Sequence, residues 1–336
     1  MFDSAYRGRR AATLENDALR VTVLREGGHI AEIFDKETGV NPLWTPPWPS
    51  IEPSTYDAAR HPEYGAGSEA RLLSGIMGHN LCLDVFGGPS DDEAAAGIGV
   101  HGESSVTTYE DAAGVFRGRC PLAGLVVDRE ISLHGRAVRI LETVTNTTAT
   151  DRPIAWTQHV TLGPPFLWNG ETQFHASATR SKVFETKFGD HDYLPPGAEF
   201  EWPGGLDVFN SAPQSSAYTS HLMDPARPDA FFVAWSPVSR LAFGYVWRQA
   251  DFPWMGIWEE NRSRQNAPWN GQTVARGMEF GVSPMPETRR AMIDRGRLFG
   301  IPTYRWIPAG RAVQVEYWAV AQTAAEAPVL LARPSV

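Results

Sequence analysis

Three short stretches of the sequence each place a titratable side chain among small or apolar residues, where a strand is expected to meet a loop. They are GVHGESS with His101, TQHVTLGPPFL with His159 and ARGMEFGVS with Glu279. A titratable group in such a position lowers stability unless it is paired or used in chemistry. Imidazole and carboxylate groups are common general acids and bases, so the set predicts proton transfer. A histidine in such a place is about as often a hydrogen-bonded structural residue, and that interpretation stays open.

Tryptophans are concentrated in one part of the chain. Five of them fall within 35 residues: Trp235, Trp247, Trp254, Trp258 and Trp269. Aromatic rings stack on the apolar face of a pyranose, and charged side chains bind its hydroxyls. This favours a sugar site, with Trp258 as a platform and Glu259 as a hydroxyl acceptor. The alternatives are a Trp-rich core and, for Glu259, a surface ion pair with Arg262 or Arg264.

The elements that must position these residues are mostly strands. Period-two alternation is common, as in Leu19, Val21 and Val23, whereas helical periodicity is scarce. Further strands are predicted over HIAEIFD, LVVDREISL, AVRILETVTN, IAWTQHVTL, AFFVAWS, RLAFGYVW, ARGMEFGVS and PTYRWIPAG, separated by Gly, Pro, Asn or Asp turns. The pattern predicts an all-β fold, a large antiparallel β-sandwich, and we expect residues 1–336 to form a single domain.

Only two stretches look locally helical. They are EARLLSGIMGHNL and DDEAAAG, the second with Gly97 as its stop. The Pro-rich loop WTPPWPSIEPS is expected to fold onto the body of the protein through Trp44 and Trp48.

Composition and charge exclude several classes of function. A net charge of −9 argues against a nucleic-acid groove or an anionic membrane surface. The N-terminus has no apolar signal region, and we find no run of about 18 apolar residues, so secretion and membrane spanning are not expected. Cys82 and Cys120 lack CxxC spacing and predict two buried free thiols. These features predict a cytoplasmic protein, and they do not indicate an oligomeric state.

The order of the motifs resembles the galactose mutarotase (aldose 1-epimerase) superfamily over nearly the whole chain. The stretch LRVTVLREGGHIAEIFDKETGVNPLW is similar to the opening strands of the family, and GVHGESS to its first histidine segment. The paired strands that end in TQHVTLGPPFL resemble those leading to its second histidine, and ARGMEFGVSPMPE resembles the late strand with its carboxylate. Each motif is weak alone, whereas four in the same order are moderately specific.

The resemblance implies a galactose mutarotase-like supersandwich and the interconversion of sugar anomers. In such a reaction a base takes the proton of the C1 hydroxyl and an acid protonates the ring oxygen. Glu279 maps to the base and His159 to the acid, and His101 would hydrogen-bond the ring or a neighbouring hydroxyl. The implied substrate is a monosaccharide or small sugar, and no metal or other cofactor is needed.

Two substrate-binding positions of the family map less directly. Its arginine maps to Arg71, which falls in the helix-like stretch EARLLSG. Its aspartate maps to His221, within SAYTSHLMDPARPD, where Asp224 follows shortly after. Residues 83–98 have no clear counterpart in the family and could shape a different pocket.

Two rival functions remain at this stage. His79, His101, Glu103 and His159 could form a metal site, since imidazole and carboxylate are accepted together by borderline metals. Alternatively, the same fold could be a sugar-binding module in which these residues serve only as hydrogen-bond partners.

Overall fold

The computed structural model describes residues 1–112 and 114–334. It is 45% strand and 8% helix, so the predicted all-β fold is confirmed. Among the described residues, no helix is long and apolar enough to cross a membrane.

The strands, in chain order, are β1 (Phe2–Tyr6), β2 (Arg9–Glu15), β3 (Leu19–Leu24), β4 (Ile30–Asp35), β5 (His79–Asp84), β6 (Tyr109–Ala112), β7 (Val115–Cys120), β8 (Leu125–His134), β9 (Ala137–Asn146), β10 (Arg152–Leu162), β11 (Gln173–Ala176), β12 (Ala178–Val183), β13 (Glu199–Glu201), β14 (Ser215–Met223), β15 (Asp229–Ser236), β16 (Leu241–Arg248), β17 (Trp254–Asn261), β18 (Val274–Gly281), β19 (Arg297–Leu298), β20 (Ile301–Pro302), β21 (Arg305–Ile307) and β22 (Ala312–Thr323). The α-helices are α1 (Ala70–Leu73), α2 (Asp91–Ala95) and α3 (Arg289–Arg295). Three single-turn 3₁₀ helices cover Pro53–Thr55, Pro62–Tyr64 and Glu103–Ser105.

Two antiparallel sheets form the sandwich. Within the described residues, the larger sheet has 12 strands in the order β1-β2-β3-β4-β5-β10-β18-β17-β14-β12-β13, with β21 paired to β10. The smaller sheet has eight strands in the order β11-β15-β16-β22-β9-β8-β7-β6. Strands β5, β10, β18, β17 and β14 therefore lie side by side in the middle of the larger sheet.

The main core lies between the two sheets. Phe280 of the larger sheet stacks on Trp247 of the smaller one, with ring centroids 4.2 Å apart, and Tyr245 lies 5.4 Å from the same ring. Because strand side chains alternate between faces, every second residue of the central strands enters this core. The remaining residues of those strands face the opposite side of the larger sheet, where loops cover it.

The prediction of a helix over EARLLSGIMGHNL was wrong beyond Leu73. Helix α1 ends there, and His79–Asp84 forms β5, which pairs with β10. Gly78 has φ +56°, and a Cβ at this position would lie 2.3 Å from the Ile30 carbonyl oxygen. A left-handed residue in such close contact ends a helix, and pairing within the sheet overrides local propensity.

The predicted helix in DDEAAAG is confirmed as α2. The backbone N–H of Ser90 donates to Glu93 at 2.9 Å, as in a capping box, and Gly97 follows the helix with φ +96°. Helix α3 was not predicted, and within the strand predicted over PTYRWIPAG only Pro302, at the end of β20, and Arg305–Ile307 are in strands.

The Pro-rich loop and the cysteines are placed as the sequence predicts. Trp44 stacks on Trp269 at 6.3 Å between ring centroids, and Trp48 contacts both rings edge-on. Cys82 and Cys120 are buried free thiols.

Candidate active site

A cavity of about 270 Å³ lies on the face of the larger sheet that is turned away from the smaller sheet. Its floor comes from the central strands, and its walls come from α1 and the loops around residues 86–101, 184–188 and 264–269. The side chains lining it are mainly apolar, and His101, His159 and Glu279 lie close together among them.

Strand register brings His159 and Glu279 together. Gln158 of β10 pairs with Phe280 of β18, and both face the core. The neighbouring positions, His159 and Glu279, therefore stand side by side on the opposite face. Two residues that are 120 positions apart in sequence become cross-strand neighbours because their strands are adjacent.

The two side chains are in direct contact. His159 Nε2 lies 2.9 Å from Glu279 Oε1, and the side chains are only 7% and 1% exposed. The hydroxyl of Thr161 lies 3.1 Å from His159 Nδ1 and orients the ring from its other side. Although the distance to His159 is short, neither carboxylate oxygen of Glu279 has a hydrogen-bond partner of good geometry among the described residues. A buried carboxylate in this condition has lone pairs available for a ligand proton.

Two glycines make room for this carboxylate. A Cβ at Gly277, two residues before Glu279 on the same face, would lie 2.5 Å from its Oε1. A Cβ at Gly256, opposite Glu279 on β17, would lie 2.2 Å from the Tyr218 hydroxyl and 3.3 Å from Glu279 Oε2. Larger residues at these positions would displace the carboxylate.

His101 reaches the same point from a loop. It has φ +65°, a left-handed conformation that costs energy in a residue other than glycine and that is often found at functional sites. Its ring centroid is 4.7 Å from that of His159. Gly102 follows with φ +77°, and a Cβ there would lie 2.2 Å from the Leu83 carbonyl oxygen, so this turn requires glycine.

The environment of His101 favours its neutral form. Burial lowers its pKa well below the ordinary value, and the neighbouring His159 acts in the same direction. Asn80 of β5 has its amide nitrogen 3.1 Å from His101 Nδ1. With Nδ1 as the acceptor, the proton of the neutral ring is on Nε2, which is then a hydrogen-bond donor.

Aromatic rings form one side of the cavity. Trp258 is 6% exposed, with its ring 5.9 Å from that of His159, and Trp269 meets it edge-on at 5.9 Å. The guanidinium of Arg264 lies 4.7 Å from the centre of the Trp269 ring and 5.6 Å from that of Trp258. Of the five clustered tryptophans, Trp258 and Trp269 line this cavity, whereas Trp247 belongs to the main core.

The structure places two of the predicted substrate-binding residues on the core face of the larger sheet, away from the cavity. His221 pairs with Met255 and Glu259 with Arg276, and all four are buried on the core side. His221 has hydroxyl partners at 2.8 Å on both ring nitrogens, and burial lowers its pKa to about 3. Glu259 accepts a hydrogen bond from Ser215 at 2.6 Å. Neither side chain lines the cavity.

Arg71 is also outside the cavity. It is exposed on α1, donates to the Pro53 carbonyl oxygen at 3.3 Å and lines a separate hollow that contains Glu103. Its neighbours Leu72 and Leu73, in the same helix, line the cavity.

Tyr218 and Arg264 line the cavity but were not selected from the sequence as binding residues. The Tyr218 hydroxyl donates to the Pro284 carbonyl oxygen at 3.1 Å. Burial, and then the charge of Glu279, raises the Tyr218 pKa well above its ordinary value, which keeps the hydroxyl protonated. No signal in the sequence distinguishes Tyr218, because its strand is buried along its whole length; the pairing with Trp258 places it on the cavity face.

The rival metal site is not assembled. His79 faces the core, where its ring nitrogens contact Tyr245 and Gln158 at 3.0 and 2.9 Å. Glu103 accepts a hydrogen bond from the backbone of Ala123 at 2.7 Å. Within residues 1–112 and 114–334, no group of three or more His, Cys, Asp or Glu side chains is arranged to hold a metal ion.

Comparison with known proteins supports the fold. No family model matches the sequence, and no curated protein matches it. A candidate aldose 1-epimerase from Klebsiella pneumoniae superposes with a TM-score of 0.69 at 14% identity, covering 95% of this chain and 80% of that one. A galactose mutarotase-like protein from Clostridium acetobutylicum gives 0.63 at 11% identity, with 96% and 98% coverage. A candidate aldose 1-epimerase from Escherichia coli K12 gives 0.62 at 13% identity, with 94% and 99% coverage.

The chain therefore has the galactose mutarotase-like fold, and the resemblance found in the sequence is supported at this level. Identities of 11 to 14% establish the fold and leave the chemistry to be argued from the site.

Proposed function

We propose that this protein is an isomerase of the aldose 1-epimerase type, which interconverts the α and β anomers of a sugar. The observation that carries the proposal is the contact between His159 and Glu279 at 2.9 Å on the floor of the cavity. It offers a proton donor and a proton acceptor at one place, and ring opening needs both.

His159 and Glu279 together donate and accept the protons that the reaction transfers. The mechanism requires that His159 begin with the proton that it donates and that Glu279 begin without one. Glu279 takes the proton of the C1 hydroxyl while His159 gives its proton to the ring oxygen, so that the bond from C1 to the ring oxygen breaks and an aldehyde forms. After rotation about the C1–C2 bond, the ring recloses from the other face of the aldehyde, and both protons return to their first positions.

Neighbouring groups support this transfer. His101 lines the cavity, and the N–H of its neutral ring would hydrogen-bond the ring oxygen or an adjacent hydroxyl. The ring of Trp258 supplies the apolar surface on which a pyranose face stacks. Arg71, His221 and Glu259 have no part in this mechanism, because they lie outside the cavity.

Three further expectations are part of the proposal. The chain acts as a single domain, because one core cluster joins residues of both sheets. Its partner is a small sugar, and nucleic acid is not expected at a net charge of −9. We place it in the cytoplasm on the basis of its two buried free thiols.

Polarimetry of freshly dissolved α-D-glucose and α-D-galactose tests the function. The protein should speed the approach to the equilibrium rotation above the uncatalysed rate, and the acceleration should survive treatment with a chelator. Binding of these sugars without acceleration would instead indicate a sugar-binding module. Loss of the activity on chelation would indicate metal chemistry.

A further inference from the structure

A cluster of polar side chains is buried in the main core, between the two sheets. Its members, which we call the polar core cluster, are each at most 1% exposed: His79, Arg129, Glu142, Trp156, Gln158, Tyr245 and Tyr317. They come from β5 and β10 of the larger sheet and from β8, β9, β16 and β22 of the smaller one. The residues that line the cavity include none of them. Polar groups removed from water lower stability unless they are hydrogen-bonded, so a cluster of this size needs a reason.

An ion pair forms the centre of the cluster. The guanidinium of Arg129 contacts Glu142 at 2.8 Å and also donates to the Gly28 carbonyl oxygen at 2.9 Å. The second carboxylate oxygen of Glu142 accepts from the Gln158 amide nitrogen at 2.7 Å and from the indole N–H of Trp156. Because both charges are paired and hydrogen-bonded, the ion pair can remain buried. It therefore holds β10 at two of its residues.

The amide of Gln158 connects this ion pair to β5 and β22. Its nitrogen donates to Glu142, and its oxygen accepts from the Tyr317 hydroxyl and from His79 Nε2, each at 2.9 Å. Burial lowers the pKa of His79 well below the ordinary value, so its ring is neutral. With the proton on Nε2, its Nδ1 accepts from the Tyr245 hydroxyl at 3.0 Å. Gln158 thus joins two strands of the larger sheet to the smaller sheet.

Two members of the cluster adjoin residues of the site along their strands. Gln158 immediately precedes His159 on β10. His79 immediately precedes Asn80 on β5, and the Asn80 amide contacts His101. Neighbouring residues of a strand point to opposite faces, so a shift of the strand moves its core residue and its cavity residue together. Contacts made in the core therefore determine where both histidines of the site stand.

We propose that the polar core cluster positions the histidines of the site for proton transfer, and that Gln158 is its central positioning residue. This inference rests on the proposed function. The distance of 2.9 Å between His159 and Glu279 depends on how β10 lies relative to β18. The core neighbour of Glu279 is Phe280, which packs by aromatic stacking. Hydrogen bonds are directional whereas apolar packing is not, so the contacts of Gln158 set the position of β10.

Gln158→Leu tests this role, because it removes the amide at nearly the same side-chain size. We expect kcat for α-D-glucose or α-D-galactose, measured by polarimetry, to fall between about tenfold and a hundredfold, since a small displacement of His159 misaligns the transfer. The KM should stay within about twofold, because Gln158 does not line the cavity. Val144→Ala is the matched control. Val144 is buried in the main core on β9, two positions from Glu142, so its truncation lowers stability and leaves kcat within about twofold.

Tyr317→Phe is a second variant, which keeps the ring and removes one hydroxyl. That hydroxyl lies 2.9 Å from the Gln158 amide oxygen and 3.2 Å from Glu142. We expect kcat to fall about fivefold with KM unchanged, a fall that corresponds to one hydrogen bond. Tyr109→Phe is its control, because the buried Tyr109 hydroxyl has no hydrogen-bond partner among the described residues. This control should keep the full kcat.

The possible failures are distinguishable. No acceleration of either sugar by the wild type would overturn the proposed function, and this inference with it. Acceleration by the wild type with an unchanged kcat in folded Gln158→Leu would overturn the inference alone, as would an unchanged kcat in Tyr317→Phe if Gln158→Leu does not fold. A change confined to KM would contradict a positioning role. An equal fall of kcat in Val144→Ala or Tyr109→Phe would also overturn the inference, because any loss of core packing would then slow the reaction.

Discussion

The position of the Glu279 carboxylate depends on residues of neighbouring strands as well as on its own strand, β18. Gly277 and Gly256 leave the space it fills, and the ring of His159 contacts it across the sheet. Because its oxygens have no hydrogen-bond partner of good geometry among the described residues, small steric changes can move it. The position of this carboxylate, the proposed base, is therefore expected to be sensitive to substitution of either glycine.

Gly277→Ala tests this sensitivity. The added methyl group would lie 2.5 Å from Glu279 Oε1 and 3.1 Å from the Trp258 Cβ, so the carboxylate must shift. We expect the rate of anomer interconversion, measured by polarimetry, to fall between about tenfold and a hundredfold, since a displacement of this size misaligns the proton transfer. Gly99→Ala is the control, because no atom lies within 4 Å of its added Cβ. Equal rates in the two variants would show that the position of the carboxylate does not matter.

The sequence was sufficient to identify four residues that line the cavity. It was not sufficient to show which face of the sheet the other residues of the same strands occupy. His101, His159, Glu279 and Trp258 were selected from motif order and residue type, and all four line the cavity. His221 was selected by alignment within SSAYTSHLM, a strand that is buried along its whole length. In such a strand the residue pattern does not distinguish the core face from the cavity face. Only the pairing with β17 does so, and register between distant strands is set by tertiary packing.

At the scale of elements, an ion-pair network holds residues 83–98 against the sandwich. Arg289 of α3 contacts Glu93 of α2 at 2.5 Å and both carboxylate oxygens of Asp84 at the end of β5. Arg152 of β10 binds the same carboxylate at 2.7 Å. The segment between Asp84 and Glu93 carries Phe86 and two glycines that line the cavity. This segment therefore forms a wall of the cavity and is fixed by α3.

Arg289→Met should loosen that wall. It removes the cation shared by Asp84 and Glu93, and we expect a loss of about 2 kcal/mol in the free energy of unfolding. The KM for sugar should rise, and amide hydrogens of residues 85–102 should exchange faster. Arg290→Met is the matched control, because its side chain is 82% exposed and pairs with Asp294 within the same helix. If both variants behave alike, α3 does not hold the wall.

Strands and helices were predicted correctly where the local residue pattern determines them. They were missed where contacts between distant parts of the chain determine them. The local pattern was sufficient for β4, β8 and β9, and Gly97 correctly marked the end of α2. The first three residues of β5, 79–81, were included in a predicted helix, because HNLCLD is buried on both faces and its pattern does not indicate a strand clearly. Its conformation follows from pairing with β10, which no local pattern reveals.

At the scale of the whole molecule, buried neutral histidines make stability depend on pH. Burial lowers the pKa of His29 and of His221 to about 3, and it lowers those of His79 and His101 well below the ordinary value. In the unfolded chain each histidine takes up a proton near its ordinary pKa of about 6.5. Below that pH the unfolded state binds more protons than the folded state, so acid favours unfolding.

We expect the free energy of unfolding to fall as the pH is lowered from about 7 toward 4. His221→Asn should reduce the slope of this fall by up to about 1.4 kcal/mol per pH unit, which corresponds to one proton. Denaturant unfolding of the wild type and the variant at several pH values measures the difference. The slope, rather than the absolute stability, is decisive, because the substitution also alters two hydroxyl contacts of His221. Identical slopes would show that His221 is not held neutral in the folded protein.

The rate of anomer interconversion in Glu279→Gln tests the central claim most directly. Glutamine keeps the size of the side chain but cannot accept the proton of the C1 hydroxyl. Polarimetry should show a rate at least about a hundredfold below that of the wild type, with an unchanged unfolding transition. Glu63→Gln, an exposed glutamate outside the cavity, should keep the full rate. A folded Glu279→Gln protein that turns over sugar at the wild-type rate would contradict the assignment of Glu279 as the base.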